Sequence, residues 1–426
     1  MKRMFLYIIL LTLIFLVIAL YLIPTPGGDF MQFYGKKDKA AQSLVEFRKQ
    51  PVKTVESDGV TWKYYSGGNG PETIVFAHGM GGSYDLWWQQ IEHFAPHYRV
   101  ISYTLPEEID NLKDVAKGIT AILKKENVDK FNIVGTSMGG YIAQYLVKTM
   151  PERIDKAVFG NTFPPNHIIA KENERKSKLI KILPTYVIHL FGDKQLHEKL
   201  LPTTAGNKKL LEAFLRSLPF SKKAFLGRYA VVIDYFDFDP NREPYKKIPK
   251  LIIQSDNDPL ITPELRKKLI EKYPDAQVYT FHEGGHFPYI AQADKYNEVL
   301  ENFLKKSDPS KEVRQVLQNY IHGRQQADSI LLEKAFWPDA RIRVQKDTLQ
   351  KELGFRDYLS IVLQAGPTTS KADIDTIIVN RENGTATAKL RMQYDREVYH
   401  DSLLLVSRNN QWRIAEKFSV AKEINK

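Results

Sequence analysis

The chain contains no cysteine, which removes structural disulfides, thiolate catalysis and cysteine-ligated zinc together. That absence leaves the compartment open, because a cysteine-free chain tolerates oxidising and reducing surroundings alike. Charge of one sign is not concentrated either. The net charge of +11 arises from 61 Lys+Arg against 50 Asp+Glu, and the lysine-containing stretches (36–39, 171–181, 266–268) are scattered and diluted. No nucleic-acid-binding motif accompanies them, so a solvated basic surface is expected and no nucleic-acid partner. Apolar and charged residues are not lacking: 43% hydrophobic, 26% charged and 12% aromatic residues exclude disordered, collagen-like and disulfide-scaffold classes. A chain of 426 residues is long for one domain and is expected to be modular.

Residues 4–23 lack any charge and hold one small polar residue, Thr12. At ~1.5 Å per residue such a helix would measure about 30 Å, the hydrocarbon thickness of a bilayer. Lys2 and Arg3 precede the run and the next basic residue is Lys36, so the sequence predicts a single-pass anchor over 1–23, its amino terminus cytoplasmic and the rest outside. A cleaved signal peptide is the competing reading. The apolar run is long for that, and the exit Tyr21-Leu22-Ile23-Pro24-Thr25-Pro26 lacks a small-x-small site. Pro24, Pro26, Gly27 and Gly28 open an expected linker over 24–50, within which 39–47 suits one amphipathic turn or two.

From residue 52 the pattern becomes strand-turn-strand around Ser57-Asp58-Gly59, a hairpin signal. Short apolar strands then alternate with helical stretches: strands at 73–77, 99–103, 131–134, 156–160, 251–254 and 277–281, with helices at 112–125 and from Ser137 to 150. Alternation of this kind implies a mostly parallel sheet covered on both faces, with functional loops at the carboxyl ends of its strands. The unusual residues fall at those ends. Gly135-x-Ser137-x-Gly139 fits a nucleophile elbow, a serine at the apex of a sharp strand-to-helix turn. A serine hydroxyl needs a base, and that base needs an acid to hold its tautomer. His286, after the strand 277–281 and behind Gly284-Gly285, supplies the base, with His282 the lesser candidate. The loop Ser255-Asp256-Asn257-Asp258-Pro259 supplies the acid. Asp258 is preferred to Asp256, which lies nearer the strand end and suits a turn cap. The loop His78-Gly79-Met80-Gly81-Gly82-Ser83 offers backbone amides for an oxyanion, with His78 as a brace, while Trp87 and Trp88 read as packing residues.

The loop HGMGGS, the elbow GTSMGG, the acid segment SDNDPLITPE and the histidine segment EGGHFPY together resemble the α/β-hydrolase superfamily over about residues 51–306. Asn161-Thr162-Phe163 and Tyr273-Pro274-Asp275-Ala276 add a softer similarity to its maspardin-like branch. The resemblance implies an acyl-enzyme on Ser137, proton transfer by His286, orientation by Asp258, and an oxyanion site from the amides of Met138 and of Gly79 or Met80. It implies no cofactor and no metal. The insertion 164–250 resembles that family's helical cap. Leu179, Ile182, Leu183, Tyr186, Val187 and Leu190 form an apolar stripe there, which Pro184 should kink. The stripe either docks the cap on the core or lines a pocket for a lipophilic acyl chain. The expected activity is hydrolysis of a small or lipophilic carboxylic ester. Cleavage of a carbon–carbon, amide or lactone bond is the alternative within the enzyme class, and a non-catalytic binding scaffold the alternative outside it.

Asp308-Pro309-Ser310 marks an expected boundary, beyond which helices (311–328, 330–335) precede strands (341–345, 371–380, 385–394, 397–407, 411–420), with turns at Asn383-Gly384 and Asn409-Asn410. That order reads as an α+β module over 308–426. The stretches YIHGRQQADSILLEKAFWPDARI and HDSLLLVSRNNQWRIAEKFSV resemble the nuclear-transport-factor-like cone fold, in particular its SnoaL-like and lumazine-binding-like members. Such cones include dimerising modules, so a homodimer through this domain is expected. His322, Asp328, Asp357 and His400 form no recognisable dyad, which favours an accessory role.

Overall fold

In the computed structural model, residues 2–23, 28–35, 38–305, 309–380, 383–408 and 411–423 are described. The expected linker residues Pro24, Pro26 and Gly27, the boundary residue Asp308 and the turn Asn409-Asn410 lie outside them. The chain divides into two compact units, Met1–Leu304 and Lys305–Lys426.

The first unit is built on eight strands: β1 (Lys53–Ser57), β2 (Val60–Gly67), β3 (Thr73–Ala77), β4 (Arg99–Thr104), β5 (Phe131–Thr136), β6 (Ile154–Gly160), β7 (Lys250–Ser255) and β8 (Gln277–Phe281). They lie in the order β1-β2-β4-β3-β5-β6-β7-β8. The β1–β2 and β2–β4 pairs are antiparallel and the others parallel. Asp58 and Gly59 both take positive φ in the β1–β2 turn, as a two-residue hairpin turn requires. Side chains alternate across a strand, so β3 sends Val75 and Ala77 into one apolar cluster and Ile74 and Phe76 into the other. Helices Leu112–Lys125 and Met138–Thr149 cover the first face; helices Trp88–Phe94 and Ala293–Leu304 cover the second. Trp87 packs on Phe76 and Tyr289, and Trp88 stacks on Phe214, so both tryptophans belong to the packing.

Two expectations at the amino end are corrected. Residues Lys2–Leu22 do form a helix, but among the described residues no helix is long and apolar enough to cross a membrane. The transmembrane anchor and the orientation derived from it are therefore not supported. The end of this helix engages protein instead, the Tyr21 hydroxyl donating to the Ile182 carbonyl. Residues 28–50 are more than a linker. Asp29 forms a capping box on the helix Phe30–Tyr34, and Asp38 caps the helix Lys39–Arg48. Phe30, Tyr34, Ala41, Leu44 and Phe47 are buried in the same cluster as Trp87 and Trp88. Arg48 pairs with Asp85 at 2.7 Å.

Between β6 and β7 lie helices His167–Ile182, Thr185–Gln195, Lys208–Ser217 and Lys222–Ile233. The anticipated stripe is not continuous, because the first helix ends at Ile182 and Pro184 precedes the next. Leu179, Ile182 and Leu190 are exposed, so these three neither dock the cap nor line a pocket. Other apolar residues dock the cap, Ile169, Val231, Val232 and Phe236 in the first cluster and Leu210, Leu211 and Phe214 in the second. Polar ties add to them: the Tyr141 hydroxyl donates to the Asp234 carbonyl, the Leu112 amide to Asp234 Oδ2, and Asn257 Nδ2 to the Thr203 carbonyl.

The second unit carries a six-stranded sheet in the order β10-β9-β14-β13-β12-β11, with β9 (Phe336–Lys346), β10 (Leu349–Gly354), β11 (Lys371–Asn380), β12 (Thr385–Gln393), β13 (Glu397–Arg408) and β14 (Gln411–Glu423). Only β14 and β9 pair in parallel. Helices Pro309–Gln326, Ser329–Ala335 and Phe355–Ala365 pack on one face, where Leu317, Tyr320, Leu332 and Val362 meet Phe336, Ile342, Leu390 and Leu405 of the sheet in one cluster.

Candidate active site

β5 ends at Thr136 and the helix Met138–Thr149 begins two residues later, so the chain must reverse direction at Ser137. Ser137 adopts φ 54°, ψ −120°, a conformation that costs a side-chain-bearing residue about 1–3 kcal/mol. The flanking glycines make the turn sterically feasible. A Cβ at Gly135 would lie 2.1 Å from the Gly139 carbonyl oxygen, and one at Gly139 would lie 2.0 Å from the Ala77 carbonyl oxygen. Ser137 is half-exposed while residues 131–136 and 138–144 are all buried. Its hydroxyl is thus presented at the carboxyl edge of the sheet.

The loop after β3 lies against this turn; a Cβ at Gly79 would be 3.3 Å from Ser137 Cβ. His78 braces it. The Leu105 amide can only donate, so His78 Nε2 accepts from it at 3.0 Å, and Nδ1 carries the proton and donates to the Gly79 carbonyl at 2.7 Å. Burial, reinforced by the Arg228 charge, pushes the His78 imidazole down to about 3, so the ring is neutral. Among the described residues the amides of Gly79, Met80 and Met138 have no hydrogen-bond partner. Of these, Gly79 approaches Ser137 and Met138 follows it directly, with Met80 next along the loop.

His286 and Asp258 come together. Nδ1 of His286 lies 2.8 and 3.0 Å from the two carboxylate oxygens of Asp258, and both residues are buried. Burial alone would raise the Asp258 carboxyl. The His286 charge opposes this, as do hydrogen bonds from His286, from Asn161 Nδ2 at 2.9 Å and from the Leu260 amide at 2.8 Å, and the group stays below its ordinary range. Asp256 pairs instead with His282, at 2.6 Å on the exposed rim. The structure thus separates two aspartate–histidine pairs, one buried and one on the exposed rim. Among the described residues the Ser137 carbonyl accepts from Thr162 Oγ1 at 2.6 Å, and its hydroxyl has no hydrogen-bond partner.

Asn161 carries more of the site than its sequence signal indicated. Its Nδ2 donates to Asp258, to Ser255 Oγ at 3.2 Å and to the Gly285 carbonyl at 3.2 Å. It therefore ties the acid loop to the histidine loop from the end of β6. A polar residue directly after an apolar strand was the available clue; in the structure it sits at φ 37°. Among the described residues no group of three or more His, Cys, Asp or Glu side chains is arranged to hold a metal.

In the second unit, His322, Asp357 and His400 are exposed and Asp328 caps a helix. The buried polar group lies elsewhere. Lys417 Nζ is 3.0 Å from Asp401, Ser419 joins them, and the Tyr320 hydroxyl donates to Asp401 at 2.6 Å.

Comparison with known proteins agrees with this architecture. The pattern of the alpha/beta hydrolase fold family matches residues 72–293, and residues 308–418 match the family described as putative lumazine-binding. The chain belongs to the α/β-hydrolase fold family and is a hydrolase with a SnoaL-like carboxyl-terminal domain. It is 25% identical over 269 residues to the 2-hydroxy-6-oxononadienedioate/2-hydroxy-6-oxononatrienedioate hydrolase 1 of Dechloromonas aromatica, covering 57% of this chain and 89% of that one. It is 26% identical over 257 residues to the pimeloyl-acyl-carrier-protein methyl ester esterase of Hamiltonella defensa, covering 57% and 96%. Among solved structures, the enol-lactonase from Burkholderia xenovorans superimposes with a TM-score of 0.52 at 18% identity, over 60% of this chain and all of that one, a likeness of fold.

Proposed function

We propose that the chain is a serine hydrolase that cleaves a carboxylic ester through an acyl-enzyme on Ser137. The carrying observation is the half-exposed Ser137 next to the unpaired amides of Gly79 and Met138, with a buried His286–Asp258 pair on the neighbouring strand ends. In this reading His286 Nε2 accepts the Ser137 proton as Oγ attacks the ester carbonyl. The amides of Met138 and of Gly79 or Met80 take up the oxyanion, each donor worth about 3–4 kcal/mol in comparable sites. Collapse breaks the bond to the alcohol oxygen, which receives the proton held by His286. Water, deprotonated by the same imidazole, then attacks the acyl carbon, releasing the acid and restoring Ser137. Asp258, kept ionised, stabilises the imidazolium and fixes its tautomer.

The relative named as a methyl ester esterase supports the ester over the amide. The relative named as an oxononadienedioate hydrolase keeps carbon–carbon cleavage as the second reading, since the same serine, base and oxyanion site serve both. A panel of 4-nitrophenyl esters, a γ-lactone, an anilide and a vinylogous 1,5-diketone, offered to the full chain and to Ser137→Ala, decides between them. Ester turnover that disappears in the variant is expected. Turnover of the diketone alone would replace the ester assignment, and turnover unaffected by the substitution would remove Ser137 from the chemistry.

A further inference from the structure

The cap helix Lys222–Ile233 carries a half-buried arginine, Arg228, that meets only a backbone carbonyl. Arg228 Nη1 donates to the Met80 carbonyl at 2.5 Å. Its Nε–H is buried and has no partner, and no carboxylate accompanies it among the described residues. Arg48 is paired with Asp85 and Arg99 with Glu126, whereas Arg153 and Arg266, also half-buried, each meet two backbone carbonyls; Arg228 has one carbonyl and a buried Nε–H without a partner. A guanidinium has five donors in a fixed fork, and even its partial removal from water is unfavourable without an anion. One carbonyl does not offset that. Burial lowers this guanidinium only to about 10, so it stays charged at neutral pH.

Its place gives the vacancy meaning. Met80, whose carbonyl Arg228 holds, contributes one of the unpaired amides of the loop after β3. Gly79, the preceding residue, approaches Ser137 closely enough that a Cβ there would lie 3.3 Å from Ser137 Cβ. Arg228 also lies close enough to His78 for its charge to disfavour protonation of that ring. A group bound by the free edge of Arg228 would therefore belong to the molecule whose carbonyl sits at Ser137. We infer that Arg228 is a specificity-determining residue that receives a carboxylate of the substrate, so that the preferred ester carries an acid group a few bonds from its scissile carbonyl. A planar carboxylate matches the guanidinium fork with two parallel hydrogen bonds. This inference rests on the serine-hydrolase reading for its geometry, and its test separates the two.

The full chain and its Arg228→Gln and Arg228→Lys variants would be assayed on two matched pairs. These are 4-nitrophenyl hydrogen glutarate against 4-nitrophenyl butyrate, and 4-acetoxybenzoate against 4-acetoxytoluene. In at least one pair the wild type is expected to favour the acid. The ratio of kcat/KM for acid over neutral ester should fall about 10- to 100-fold in Arg228→Gln, the range for a charged hydrogen-bonded pair, with part of the ratio kept by Arg228→Lys. A proportionate loss on both esters, leaving the ratio unmoved, would make Arg228 a mere brace for the Met80 loop and overturn the inference. So would a wild type indifferent to the charge. If none of these esters is turned over, calorimetric titration with glutarate and benzoate decides: binding that Arg228→Gln abolishes sustains the carboxylate site while the hydrolase reading falls, and no binding sinks the inference itself.

Discussion

Replacing His78 by glutamine removes a group whose neutrality the fold enforces, and the consequence has a definite pH signature. The Leu105 amide points at Nε2, so a proton there would set N–H against N–H, and burial reinforces the exclusion. The unfolded chain has no such constraint and its histidine titrates near ~6.5. Below that pH the unfolded state binds a proton that the folded state refuses until about 3. Stability from this group is therefore complete above ~6.5 and declines as pH falls toward the folded value, by about 1.4 kcal/mol per unit. At pH 5 the wild type should have lost about 2 kcal/mol relative to pH 8 on this account. His78→Gln cannot keep both hydrogen bonds, so at pH 8 it should be destabilised by about 1–3 kcal/mol. It does not titrate, so its deficit against the wild type should shrink by about 2 kcal/mol at pH 5. Native-state hydrogen exchange of peptides from β3 and β5, measured on both proteins at pH 5, 6, 7 and 8, reads this difference within the hydrolase unit. A deficit that stays constant to within about 0.5 kcal/mol across that range would refute a neutral, two-bonded His78.

Asp258→Asn should lower kcat by about 10³- to 10⁴-fold, the loss seen when a triad acid can no longer hold its imidazole. Asp256→Asn, on the exposed pair with His282, should change it less than about threefold. The reverse ranking in ester turnover would reassign the acid. In the second unit, Lys417→Met leaves Asp401 charged and buried and should cost about 3–5 kcal/mol, while the double change Asp401→Asn/Lys417→Met should cost much less. Thermal unfolding of the full chain measures this; equal losses would show that the pair is not coupled.

Much of the hydrolase unit was legible because its strands are buried on both faces and stand out as short apolar runs between turn residues. The bounds read for 73–77, 112–125, 277–281 and 371–380 coincide with the observed elements. What escaped the sequence did so for physical reasons. β10 is an edge strand whose residues are nearly all exposed, Leu349 at 77%, so it shows no inward–outward alternation to read. Within 28–50 only the amphipathic turns at 39–47 were read, because the helices there are short and their buried residues gain meaning only from the surface they meet. Their caps, Asp29 with Gln32 and Asp38, were nonetheless present as signals. The amino-terminal run was read from apolarity alone, which does not distinguish a span from a helix that engages the cap through Tyr21. Ser137, Asp258 and His286, the triad proposed above, were picked out by glycine spacing and chain order. Arg228 could not be, because an arginine on a helical cap looks like any surface arginine until its missing counter-ion is seen.

The central claim is that one alcohol, on a strained turn, is made reactive by partners remote in sequence. Treatment of the full chain with a fluorophosphonate, followed by intact mass and peptide mapping, tests it most directly. A single adduct on the peptide bearing Ser137, absent from Ser137→Ala and slowed at least a hundredfold in His286→Gln, is the expected result. A chain that takes no adduct, or takes it equally well without His286, would contradict the account.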